Sequence, residues 1–165
     1  MNTTTSNATR YDTAIEADPD LPTVRIVRDF DAPPDRVFRA WTDAELVVKW
    51  LGPNTTTMRI DTWEARTGGS YRYAAWRDGE EIARFYGSFH ELRPNERLVQ
   101  TFTYEGVPDG VCLETITFED LGGGRTRVNA LSVVDTMEGR DAMIASGMEV
   151  GVVEGYEKLD DLLAQ

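Results

Sequence analysis

The sequence predicts an α+β domain: a seven-stranded, curved antiparallel sheet with one long C-terminal helix laid across it. Three observations carry this reading. Seven segments alternate apolar and polar residues at the two-residue period of a strand. The breaks between most of them are short and rich in Gly, Asn, Asp or Pro, so consecutive strands pair antiparallel. The last stretch instead repeats its apolar residues at helical spacing.

Residues 1–22 are rich in Thr, Asn, Asp and Pro without periodicity, and read as a mobile or loosely packed arm ahead of a domain at 23–165. The first strand starts at Thr23, with Val24, Ile26 and Arg28 in phase. Asp31-Ala-Pro-Pro ends it, and Pro33 and Pro34 suit the first turn of a helix, where a missing N–H costs nothing. That short helix carries Val37, Phe38 and Trp41 on one side. Thr42-Asp-Ala-Glu45 has the spacing of a capping box for a second one, stopped by Gly52-Pro53. Six strands follow at 56–65, 70–77, 80–92, 97–105, 111–120 and 125–134, with Gly68-Gly69, Asp78-Gly79, Pro94-Asn95 and Gly122-Gly123-Gly124 among their turns. Asp135-Thr-Met-Glu138 repeats the capping spacing, and a single helix is expected from there to about Ala164, ~40 Å at ~1.5 Å per residue.

Composition excludes several classes of function. The 17 Lys and Arg face 29 Asp and Glu, a formal charge of −12. Such a surface repels nucleic acid and anionic lipid. No apolar run approaches the ~20 residues that span a bilayer, and the N-terminus has no apolar signal core, so the cytoplasm is the expected location. One cysteine, Cys112, forms no intrachain disulfide, and one histidine with it cannot build a four-ligand zinc site. No metal or cofactor is expected.

The segments KWLGP (49–53), GGSYRY (68–73), YGSFHEL (86–92), ERLVQTFTYEG (96–106) and GMEVG (147–151) occur in this order. Together they resemble the START-like (SRPBCC) superfamily. More narrowly, they resemble the bacterial branch related to the C-terminal domain of the activator of the heat-shock-protein-90 ATPase. The resemblance runs from about Thr23 to Leu163. It implies a helix-grip fold, in which a seven-stranded sheet wraps the C-terminal helix and two short helices close one end of a groove. It also implies an apolar or amphipathic ligand in that groove.

Within that frame the residues nominate a site. Gly147, Gly151 and Gly155 sit four apart, hence on one helix face, each costing ~1 kcal/mol relative to Ala. A bare face leaves volume for a ligand; alternatively it permits close helix–sheet packing. Tyr71 and Tyr73 share one face of their strand, and Phe102 and Tyr104 share one face of theirs. Trp41, Trp50, Phe89, Tyr156, Met148 and Val152 are further candidates for the groove or its rim, or for plain core. Glu114 is in phase with Ile116 and Phe118, so its carboxyl must be paired, hydrated or protonated. Glu91 is in phase with Phe89 unless a bulge intervenes. Either is a candidate acid or base, or a salt-bridge partner for Arg72, Arg84 or Arg127. His90 alternates outward.

The leading expectation is therefore binding of a small apolar molecule, by a monomer or homodimer, through Trp41, Trp50, Tyr71, Tyr73, Phe89, Phe102, Tyr104, Glu114, Met148, Gly151, Val152 and Gly155. One alternative is docking to a chaperone or other protein. The stretch ahead of the resemblance is short for the extra N-terminal domain that the eukaryotic activators carry. The other is a cyclase- or hydrolase-type enzyme using Glu91, Glu114 or His90. It ranks below binding because no nucleophile stands beside a base in the pattern.

Overall fold

The computed structural model describes residues 11–165. Strand β1 (Ala14–Ala17) leads into β2 (Thr23–Phe30), followed by α1 (Pro34–Thr42) and α2 (Ala44–Trp50). Six strands follow: β3 (Thr57–Trp63), β4 (Ser70–Arg77), β5 (Glu80–Arg93), β6 (Arg97–Tyr104), β7 (Cys112–Gly122) and β8 (Arg125–Val133). Helices α3 (Met137–Ala145) and α4 (Met148–Leu163) complete the chain. All strands join one antiparallel sheet in the order β1-β2-β8-β7-β6-β5-β4-β3.

The seven expected strands are present, and β1 adds an eighth. Residues 11–22 therefore depart from the loose arm expected of them: Ala14 to Ala17 pair with Val27 to Val24 and lay Ile15 against the core. Residues 1–10 of the expected arm lie outside the described part of the chain. Arg140 of α3 holds the segment between β1 and β2 in place. Its guanidinium Nη1 donates to the carbonyls of Asp18 (2.6 Å) and Leu21 (2.9 Å).

The single C-terminal helix is in fact two. Ser146 caps α3, and Gly147 follows with φ 86°, a left-handed conformation that glycine adopts without strain. The glycines at 147, 151 and 155 therefore do not share one helix face. Two caps also sit one residue later than their sequence spacing suggests. Asp43, not Thr42, receives the Glu45 N–H (2.9 Å), while the Thr42 hydroxyl donates back to the Phe38 carbonyl (3.0 Å). Thr136 caps α3 by accepting the Gly139 N–H (2.9 Å).

The core is densest where α1, α2 and α4 meet β2, β8 and β7. Phe30, Trp41, Trp50, Phe118 and Tyr156 interlock there, with edge-to-face pairs such as Phe30–Tyr156 at 5.4 Å. The Trp50 indole N–H donates to the Ala40 carbonyl (2.9 Å), so this polar group is satisfied inside the cluster. α4 is tied to the sheet by a bidentate ion pair: Arg28 Nη1 and Nη2 donate to the two Asp160 carboxylate oxygens at 2.7 and 2.5 Å, deep in the interior. Arg28 also lies over the Phe30 ring, 4.8 Å from its centroid.

Candidate functional site

The other half of the sheet, β4 to β7, presents a different inner face. Tyr71 and Tyr73 project from β4, Phe85 and Phe89 from β5, Gln100 and Phe102 from β6, and Cys112 and Glu114 from β7. Their registers place Tyr73 opposite Phe85, Phe89 opposite Gln100, and Gln100 opposite Glu114. The aromatic rings form a continuous wall: Tyr71–Tyr73 stack at 6.0 Å, Tyr73–Phe85 lie at 5.2 Å, and Phe85–Phe102 stack at 5.3 Å.

The curvature that brings these rings together comes from Gly87. It is the cross-strand partner of Tyr71, and a Cβ there would lie 2.0 Å from the Thr101 carbonyl oxygen and 2.6 Å from the Tyr71 hydroxyl. Only a glycine lets Tyr71 lean across β5 and donate its O–H to that carbonyl (2.6 Å). Beside it, the Ser88 N–H donates to the Thr101 hydroxyl oxygen (2.9 Å) where the β5–β6 ladder opens.

Polar chemistry centres on Glu114. Gln100 Nε2 donates to Glu114 Oε1 at 2.9 Å. Protein surrounds the carboxyl closely enough that burial raises its pKa, with the Gln100 hydrogen bond acting the other way. Even so, Phe85, Gln100, Phe102 and Glu114 are not sealed off: each inward-facing residue keeps partial solvent access, whereas Tyr71, Tyr73 and Phe89 behind them are buried. The hydroxyls of Tyr73 and of Tyr156, on α4, are pushed up in pKa by burial and by Glu114, and no hydrogen bond contributes to either. Burial, with Glu114 nearby, also raises the Cys112 thiol to about 12, which keeps it protonated near neutral pH.

The structure gathers Tyr71, Tyr73, Phe89, Phe102 and Glu114 of the expected residues onto this surface, and Met148 and Val152 are half-buried against the core on the helix side. Others lie elsewhere. Trp41 and Trp50 belong to the closed aromatic cluster. Gly151 faces Pro53, and a Cβ on Gly155 would come within 2.9 Å of the Trp50 carbonyl, so these glycines serve close contact of α4 with the segment after α2 rather than an open groove. Tyr104 is 42% exposed at the rim, against Phe85. A register shift between Phe89 and Glu91 makes His90 a bulge residue and turns both it and Glu91 outward. Glu91 meets Arg93 (3.1 Å) and Arg97 (3.8 Å) there, and His90 is exposed. The arginines considered as partners are engaged elsewhere: Arg72 with Glu105, Arg84 with Glu81 and Asp61, Arg127 with Asp29.

Sequence reasoning missed Phe85, Gln100 and Trp63. Gln100 was visible as a polar residue in phase with Leu98 and Phe102. Trp63 donates its indole N–H to the Thr42 carbonyl (2.7 Å) and packs on Tyr71 and Phe89.

Two surface clefts lie away from this wall. One of about 230 Å³ lies between α1, α2 and the end of α4, and one of about 250 Å³ lies beside β1. Among the described residues no cluster of His, Cys, Asp and Glu is arranged to hold a metal ion, and no helix is long and apolar enough to cross a membrane.

Solved structures share this fold. A protein from Arthrobacter aurescens is 29% identical, with a TM-score of 0.83 over 92% of this chain and 91% of its own. One from Rhodobacter sphaeroides is 27% identical, TM-score 0.83, over 93% and 99%. One from Chromobacterium violaceum is 26% identical, TM-score 0.74, over 87% and 98%. No curated protein matches the chain. The family described as activator of Hsp90 ATPase homolog 1-like protein matches residues 31–164, nearly the whole domain built above, and the chain belongs to that family.

Proposed function

We propose that the chain is a binding module that holds a small apolar or amphipathic molecule between the inner face of β4–β7 and the helices α3 and α4. One observation carries this: an aromatic wall that is only partly closed, with a partly buried carboxyl and a tyrosine hydroxyl on it that the protein leaves with hydrogen-bonding capacity to spare. In a fully packed core such groups are paired. Catalysis receives less support, because Cys112 is held as a thiol and His90 and Glu91 face away, which leaves Glu114 without a nucleophile beside it.

Native mass spectrometry of protein purified from its own host, followed by denaturation and extraction, tests the reading. A reproducible small molecule released in near-stoichiometric amount is the expected result. Protein that is empty, and whose amide resonances on β4–β7 stay unmoved by a panel of apolar probes, would refute it.

A further inference from the structure

The charges around this wall specify the class of ligand. The groups within electrostatic reach of Glu114 are Tyr71 and Tyr73 on β4, Cys112 on its own strand and Tyr156 on α4. None of these is a cation. The one interior arginine near them, Arg28, has its charge matched by both oxygens of Asp160, and its Nη1 also donates to the Asp29 carbonyl, while its buried Nε–H has no hydrogen-bond partner. The Tyr71 O–H is spent on the Thr101 carbonyl, and one of the two Gln100 amide N–H groups on Glu114. What remains on the wall is the Tyr73 and Tyr156 hydroxyls, both on residues more than nine-tenths buried, the other N–H and the carbonyl oxygen of Gln100, and the free side of the Glu114 carboxyl.

A buried anion needs a countercharge or a set of strong donors. Here a carboxylate-bearing ligand would meet a carboxyl group of like charge and, among the described residues on this wall, no free cation. An uncharged molecule with an acceptor oxygen meets donors instead: a tyrosine O–H, or the O–H of Glu114 in its protonated form. We propose that the ligand of this chain is uncharged, with a flat apolar body and a carbonyl- or ether-type oxygen, and that Glu114 excludes the corresponding carboxylates. The inference rests on the binding reading above.

A matched pair of probes tests it: 2-acetylnaphthalene, a neutral ketone, and 2-naphthoate, the same ring system bearing a carboxylate. Both are titrated into the full chain at pH 7.5, followed by amide and side-chain resonances on β4–β7 and by tryptophan fluorescence. The ketone is expected to bind at least tenfold more tightly. Glu114→Gln, which keeps the shape and removes the titratable group, is expected to narrow that gap. It should also abolish a weakening of naphthoate binding as pH rises and Glu114 loses its proton. Tyr73→Phe, a variant that removes no hydrogen bond within the protein, should weaken the ketone several-fold and serves if the Gln variant misfolds. Equal or tighter binding of naphthoate at the same resonances would overturn the charge rule and leave the binding reading standing. Failure of both probes to shift those resonances at millimolar concentration would overturn both.

Discussion

Two polar pairs, one buried and one partly buried, divide the interior of this molecule. Arg28 and Asp160 join β2 to α4, charge against charge in bidentate geometry, within the aromatic cluster of Phe30, Trp41 and Tyr156. Gln100 and Glu114 join β6 to β7 by one hydrogen bond, in front of a wall that solvent still reaches. The first pair is matched in charge and geometry, with only the Arg28 Nε–H left unpartnered, and locks the helix on the sheet. The second is half-used. The difference teaches where a folded domain keeps room for a ligand: on the side where solvent still reaches polar groups with bonding capacity to spare and rings line a surface without interlocking across it.

Breaking the matched pair should have the largest effect. Asp160→Ala strands a buried guanidinium and is expected to cost about 3–5 kcal/mol, read as a lower denaturation midpoint. A cost below 1 kcal/mol would mean that Arg28 finds another partner or water, and that the closed half is looser than its geometry implies.

Gly155→Ala pushes a methyl group toward the Trp50 carbonyl and should destabilise by about 1–3 kcal/mol through overpacking. If it stabilised instead, as alanine does in an open helix interior, the contact between α4 and the end of α2 would not be tight.

Glu114→Gln should act in the opposite direction, and only at higher pH. The folded pKa of Glu114 lies above its unfolded value, so its contribution to stability is fully present below the unfolded pKa and is lost as pH rises through the folded one. Glutamine has no such loss. The variant should match the parent near pH 4 and exceed it at pH 8, by about 1.4 kcal/mol per unit of raised pKa. In a domain of this size, about 1 kcal/mol moves Tm by about 2–4 °C. A stability difference that does not change with pH would show that the carboxyl is well hydrated.

The smallest effect compares two neighbouring tyrosines. Tyr71→Phe loses the bond to the Thr101 carbonyl and should cost about 1 kcal/mol, whereas Tyr73→Phe should be close to neutral because its hydroxyl makes no hydrogen bond in the protein. Equal losses in thermal melts would place an ordered partner, such as a bound water, on Tyr73.

Much of the fold was legible before any coordinates. Strands β2 to β8 announce themselves by alternation and by turns such as Asp78-Gly79, and Tyr71, Tyr73 and Glu114 could be assigned to an inner face from strand parity. The errors share a cause. AIEA at 14–17 is too short, with one large apolar side chain, to stand out from its surroundings, and becomes a strand only because β2 offers an open edge. Glycines four apart suggest one helix face until Gly147 turns left-handed and splits the helix. Parity carries Glu91 inward until the bulge at His90 reverses it.

The sequence by itself determined the class of fold, the strand order in the chain and the set of rings and carboxyls available to a site, because side-chain period and turn chemistry are local properties. Only the tertiary structure decided how they are used. It gave Trp41, Trp50 and the α4 glycines to close packing, matched Arg28 with Asp160 across 132 positions of chain, and left Glu114 facing tyrosines with a single partner. Those outcomes depend on which faces meet and on how closely backbones approach, and no local pattern encodes either.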